Sequence, residues 1–294
     1  MRLTILGLGL IGGSIARAVA ARRRWPVTAW DADPAPLRLA RRTGVAHGAP
    51  DPESAVAGAE IVVLAVPTLA LPELLTRLGP ALARTGATVT DVASTKQAVL
   101  TWAAAIPSLR FVGGHPMSGG DSAGFAASTV DLFAGRPWVV VRGRGARHRD
   151  VERVRALARG CGARPIELEA AEHDRAVAAI SHLPLVVSAA LAEASFAAPE
   201  WPTARGLAAQ GFRDLTRLAR GSPALGLGML ATNRQAVLDA LDRLEVALAA
   251  WRARLESLPE TPAVGPATTE PPAEALAARL AEVAARLRDE VRLP

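Results

Sequence analysis

The stretch LTILGLGLIGGS, residues 3–14, decides the fold. Residues 3–6 form an apolar run suited to a buried strand, and 14–23 has helical spacing, so Gly7, Gly9 and Gly12 fall at the turn between them. Each glycine at this spacing has its own use. The first permits a tight turn, the second lets a pyrophosphate approach the backbone, and the third lets helix and strand pack closely. The phosphates then meet the free N–H groups and positive dipole end of the helix. Asp31 follows about 20 residues on, at the end of the next strand, where a carboxylate binds a ribose 2′-hydroxyl and repels a 2′-phosphate. Gly7, Leu8, Gly9, Leu10, Ile11, Gly12 and Asp31 therefore predict a dinucleotide site, with NAD preferred to NADP.

Outward from this motif, apolar runs at 27–30, 61–65, 88–91, 111–113, 138–141 and 165–168 alternate with amphipathic segments such as 35–42, 71–78 and 150–159. Such alternation predicts βαβ crossovers and a Rossmann-type, doubly wound, mainly parallel α/β sheet over residues 1–169. Beyond residue 169 the texture becomes alanine-rich and helical. An all-α C-terminal domain is expected over 170–258, with helices at 173–197 (bent near Pro184), 205–219 and 231–255. Residues 259–273 read as a linker and 274–294 as a last helix.

Composition narrows the function. The 294 residues are half apolar and carry a net charge of +6, which suits an anionic partner. Arginines are spread along the chain, tightly grouped only at 22–24 and 142–149, with no aromatic interleaving; nucleic acid is not expected. No uninterrupted apolar run approaches 18 residues, so no membrane span is expected. Cys161 is the sole cysteine, which excludes a disulfide framework and a cysteine-ligated zinc site, and no metal site is expected. A cytoplasmic protein acting on an anionic small molecule fits best.

Several polar positions lie where strands should end. Val66 and Pro67 close the 61–65 run and would line the cofactor crevice, unless they are an ordinary strand-ending turn. Ser94 and Lys96 follow the 88–91 run on the same edge. Lys96 is the only lysine beside 33 arginines, which asks what an ammonium does there that a guanidinium cannot. His115 stands among glycines in GGHPMSGG, residues 113–120, and imidazole there can take a proton from an alcohol as a hydride departs. His182 sits at the expected bend. Arg213 and Arg217, four apart, are either a solvated charged face or a fork for a substrate carboxylate.

In this order, GLGLIGGS, VVLAVP, DVASTK, GGHPMSGGDSAG, EHD, ISHLP and GFRDLTRLA resemble the prephenate/arogenate dehydrogenase family of tyrosine biosynthesis, over residues 3 to about 220. The resemblance implies an NAD-dependent oxidative decarboxylation of prephenate, or of arogenate, and a homodimer built through the helical domain. His115 then matches the catalytic histidine, and Ser94 the serine bridging it to the substrate hydroxyl and the nicotinamide. Arg217 matches the carboxylate-binding arginine, His182 and Arg213 line the substrate pocket, and Lys96 belongs to the Ser-x-Lys motif beside the substrate. Two departures stand out: Gly119-Gly120-Asp121 replaces Gly-Thr-Glu, and a tryptophan common after the Thr-Arg-x-Ala segment is absent. A β-hydroxyacid dehydrogenase would need a lysine in its helical domain, which this chain lacks; a non-catalytic NAD sensor would not need His115 beside Ser94.

Overall fold

A computed structural model of the 294-residue chain describes residues 1–120, 122–260 and 271–290. Asp121, most of the expected linker and the last four residues lie outside that set. By their contacts, the residues fall into two compact units, one up to Val237 and one from Leu238 onward.

The first unit is built on eight strands: β1 (Leu3–Leu6), β2 (Val27–Trp30), β3 (His47–Gly48), β4 (Ile61–Leu64), β5 (Thr88–Asp91), β6 (Arg110–Pro116), β7 (Pro137–Arg142) and β8 (Arg164–Glu167). Between them run α1 (Leu10–Arg23), α2 (Pro34–Arg42), α3 (Pro52–Val56), α4 (Leu71–Thr85), α5 (Gln97–Ala104) and α6 (His148–Gly160). The sheet order is β3-β2-β1-β4-β5-β6-β7-β8, parallel throughout except for the antiparallel β6–β7 pair. The strand order reverses between β1 and β4, and the crevice at their carboxyl ends is the ligand position of such sheets.

Strands β1 and β4 are buried on both faces, which is why they read as continuous apolar runs rather than alternations. Leu3, Ile5, Ile61 and Val63 pack with Ile15, Val19, Val154 and Leu157 on one face. Leu6, Val62 and Leu64 pack with Leu71, Leu75 and Leu78 on the other. Two helical layers thus clamp the sheet and hold its loop edge still.

The expected strand at 111–113 continues through Pro116. Residues Val112 to Pro116 pair with β7, and His115 lies opposite Val139. His115 therefore sits within a strand, not after its end. Gly114 makes this possible, because a Cβ there would stand 2.5 Å from the Asp91 carbonyl oxygen.

After β8 the first unit is helical: α7 (Ala170–Val177), α8 (Leu183–Ala197), α9 (Trp201–Leu207), α10 (Gln210–Leu215) and α11 (Pro223–Thr232), with α12 (Arg234–Glu256) beginning before Val237. The expected helix at 173–197 is broken by a π turn at Ala178–His182, and Pro184, lacking a backbone donor, opens α8 just behind it. By length and composition Ala170–Ala197 could cross a membrane. Yet its His173, Asp174 and His182 are buried and hydrogen-bonded, as in a core helix. The expected helix at 205–219 is likewise divided: α10 stops at Leu215, and Arg217 caps a separate short turn, so Arg213 and Arg217 do not share one helix.

The second unit holds the rest of α12 and α13 (Pro271–Glu290). Ion pairs Arg279–Glu282 (2.6 Å) and Arg286–Glu290 (2.9 Å) line the exposed side of α13.

Candidate active site

The glycine loop has the form its sequence implies. Gly7 adopts φ +98°, and a Cβ there would stand 2.4 Å from the Ala65 carbonyl oxygen at the end of β4. At Gly12 a Cβ would meet the Gly7 oxygen at 2.0 Å. At Gly9 a Cβ would meet nothing within 4 Å, so the space above it is open to a ligand. Helix α1 has no side-chain cap and no acid in its first turn, which leaves the first-turn N–H groups of Leu10, Ile11 and Gly12 to an anion.

Leu8 departs from this pattern. Its side chain is in the core and its N–H donates to Asp31 Oδ2 (2.5 Å), so that donor is occupied. Asp31 Oδ1 accepts from Asp33 N (2.9 Å), and Asp31 thereby ties β2 to the glycine loop. Beside it a hollow of about 650 Å³ is lined by Trp30, Asp31, Pro34, Arg38, Arg41 and Pro50, with room for an adenosine. Val66 is half-buried and Pro67 exposed at the mouth of the crevice.

His115 belongs to a hydrogen-bonded chain. Its Nδ1 lies 2.9 Å from His173 Nε2, and His173 Nδ1 lies 2.8 Å from Asp174 Oδ1. Asp174 also accepts from the backbone N–H of Lys96 (2.7 Å) and of Gln97 (2.9 Å). Burial pushes the Asp174 carboxyl pKa up, but hydrogen bonds from His173, Gln97 and Lys96 outweigh it and hold the group below its ordinary 3.8. For His115, burial, then the positive character of His173, Lys96 and His182, drives the imidazole well below its ordinary 6.5. The His115 imidazole is thus neutral at physiological pH, and the residue as a whole is half-buried.

Lys96 was expected against the substrate, and the structure corrects this. It is fully buried, with its ammonium paired to Asp91 and donating to the Gly114 carbonyl (2.7 Å). Asp91 in turn accepts from Ala93 N (2.9 Å) and Gly114 N (3.0 Å). Lys96 therefore clamps the end of β5 to the peptide that precedes His115. A Cβ on Gly113 would stand 3.0 Å from Lys96 Cδ, so the slot admits a thin methylene stem. A guanidinium would bring five N–H donors to the two acceptors, Asp91 and Gly114, that hold the ammonium.

Ser94 is half-buried in the loop between β5 and α5, next to Thr95, whose hydroxyl lies 2.7 Å from that of Thr232 in α11. His182 is buried, with Nδ1 3.1 Å from Asn233 Nδ2 and Nε2 without a protein partner. Burial, then His173, lowers its pKa to about 4 against the opposing pull of Asp174. Ser118 Oγ, just beyond β6, is a second buried polar atom without a partner. Arg213 and Arg217 are both exposed. The glycine-rich loop after His115 reaches the cofactor loop: a Cβ on Gly120 would lie 3.5 Å from Leu10 Cδ2. The two motifs thus meet at one edge of the sheet.

Residues 15–167 match the family model for the prephenate dehydrogenase nucleotide-binding domain, and 169–260 match that for its dimerization domain. The chain belongs to the prephenate dehydrogenase family. The prephenate dehydrogenase of Bacillus subtilis is 35% identical over 251 residues, covering 82% of this chain and 67% of that protein. Among solved structures, Synechocystis arogenate dehydrogenase superposes with a TM-score of 0.78 at 28% identity, over 99% of this chain and 98% of that one. A prephenate dehydrogenase from A. aeolicus, solved with hydroxyphenyl propionate and NAD+, gives 0.86 at 23% identity over 99% and 98% of the two chains, a likeness of fold.

Asp91, His173, Asp174 and Asn233, which hydrogen-bond around the strand of His115 and around His182, and the unpartnered Ser118 were not among the expected site residues. The EHD stretch was a signal for two of them, but nothing local marks Asn233 or the inward turn of Lys96.

Proposed function

We propose that the chain catalyses the NAD-dependent oxidative decarboxylation of prephenate, with His115 as general base. The observation that carries this reading is the hydrogen-bonded His115 at the same sheet edge as the open glycine loop. Gly9 and the first-turn N–H groups of Leu10, Ile11 and Gly12 would hold the pyrophosphate, Asp31 the adenosine ribose, and Val66 and Pro67 the wall of the crevice. NAD bound there supplies a hydride acceptor.

His115 takes the proton of the ring hydroxyl as the hydride leaves the same carbon. Loss of carbon dioxide makes the ring aromatic, and His115 returns the proton to the phenolic oxygen. Because aromatisation drives the reaction, the protein has mainly to orient the substrate and move one proton. Ser94 is assigned to the substrate hydroxyl, Arg217 to a carboxylate, and His182 and Arg213 to the pocket walls. The net charge of +6 favours a dianionic substrate.

The likeness to an arogenate dehydrogenase keeps arogenate as a second substrate to test. A homodimer suits the exposed Ile180, Phe196, Leu225 and Leu227 of the helical region and the dimerization-domain match. A cytoplasmic location suits the buried free thiol of Cys161. The deciding experiment is a spectrophotometric assay crossing prephenate and arogenate with NAD and NADP. Turnover of prephenate with NAD is expected, and no turnover with any pair would overturn the reading.

A further inference from the structure

We propose that His173 and Asp174 are positioning residues that fix the tautomer of His115, leaving the lone pair on Nε2 and the proton on Nδ1. This rests on His115 being the base. Donors and acceptors alternate along one chain of atoms. Asp174 accepts two backbone N–H groups, from Lys96 and Gln97, so it is an acceptor-only carboxylate. His173 Nδ1, 2.8 Å from Asp174 Oδ1, must then carry a proton, which leaves the His173 Nε2 lone pair facing His115. His115 Nδ1, 2.9 Å away, must donate to it. Only Nε2 of His115 remains unprotonated, and it is the atom free to accept from a substrate hydroxyl. When it does, the imidazolium formed is held by His173, with the Asp174 charge behind it.

His182 is held the other way. The Asn233 amide nitrogen donates to the Asp174 carbonyl oxygen (2.7 Å), which identifies it as nitrogen, and its other hydrogen points at His182 Nδ1 (3.1 Å). His182 therefore carries its proton on Nε2, the buried atom without a protein partner. One acceptor and one donor nitrogen are thus offered from adjoining elements. The charged and titratable groups around His115 are His173 and Asp174 on α7, His182 on the π turn, Lys96 before α5 and Asp91 on β5.

The test is ¹⁵N NMR of the histidine-labelled wild-type protein at neutral pH, with His47→Asn and His148→Asn to assign the two exposed rings. His115 and His173 are expected as Nδ1–H tautomers and His182 as Nε2–H. An Nε2–H tautomer at His115 overturns the proposal, whatever the kinetics. A kinetic arm uses His173→Leu, expected to lower kcat roughly 10–100-fold with substrate KM and NAD affinity unchanged. His173→Gln, whose side-chain oxygen can still accept from His115, should recover most of that loss. Folded His173→Leu with normal kcat would also overturn the proposal. Failure of the base reading shows separately, as near-normal kcat in His115→Asn.

Discussion

Replacing the sole lysine, Lys96→Met, should destabilise the first unit by about 3–5 kcal/mol. The figure comes from what is left behind. The ammonium and its Asp91 partner are both fully buried, so its removal strands a carboxylate in the interior with only the N–H groups of Ala93 and Gly114 to hold it. The Gly114 carbonyl also loses a donor. For a unit of this size the loss should lower the melting temperature by about 6–20 °C. Urea denaturation monitored by far-UV circular dichroism reads it directly, the midpoint falling with the slope unchanged. Adding Asp91→Asn should recover part of the loss, since no unpaired charge then remains. Lys96→Arg should not restore the wild type, because a buried guanidinium brings five N–H donors where Asp91 and the Gly114 carbonyl hold one ammonium. An unfolding free energy for Lys96→Met within about 1 kcal/mol of wild type would show that the buried pair contributes little.

The glycine loop should separate packing from binding. Gly12→Ala forces a Cβ to 2.0 Å from the Gly7 oxygen and should cost roughly 1–3 kcal/mol or more, whereas Gly9→Ala enters open space, should stay within about 0.5 kcal/mol of wild type and yet weaken NAD binding by calorimetry. Burial of His182 makes stability depend on pH. With its folded pKa near 4 and its unfolded value near 6.5, the contribution is intact above pH 6.5 and lost as pH falls toward 4, by up to about 3 kcal/mol; His182→Gln should flatten that part of the urea-midpoint profile. Asp31→Ser should narrow the ratio of kcat/KM with NAD to that with NADP, and should loosen the loop by freeing Leu8 N.

The doubly wound sheet was legible because its signals are local. Runs such as 3–6 and 61–65 are apolar on both faces, and the glycines stand at the strand-to-helix turn. The two-residue β3 carries no such signal. The extension of β6 through Pro116 was hidden because Gly113 and Gly114 have poor strand propensity; close approach to Lys96 at the first and to the Asp91 carbonyl at the second favours glycine there. The break in 173–197 was legible at Pro184, but its form was not: a π turn whose buried His182 meets Asn233, 51 positions away.

Within the site, residue type singled out His115 but not what lies behind it. The His115–His173 contact spans 58 positions and the Lys96–Asp174 contact 78, distances over which pattern carries no information. Lys96 shows the limit most plainly. Its place beside Ser94 suggested a partner in the pocket, yet the direction of its side chain is set by Asp91 and Gly114, and it holds the strand that carries His115.

Whether His115 is the base is decided by kcat of His115→Asn with prephenate and saturating NAD. A fall of roughly 10²–10⁴-fold is expected with NAD affinity little changed, the usual worth of positioned acid–base catalysis. The wild-type kcat should also fall only on an acid limb below pH 6.5, since burial lowers the imidazole pKa. Near-normal kcat in a folded His115→Asn protein would mean that His115 is not the base.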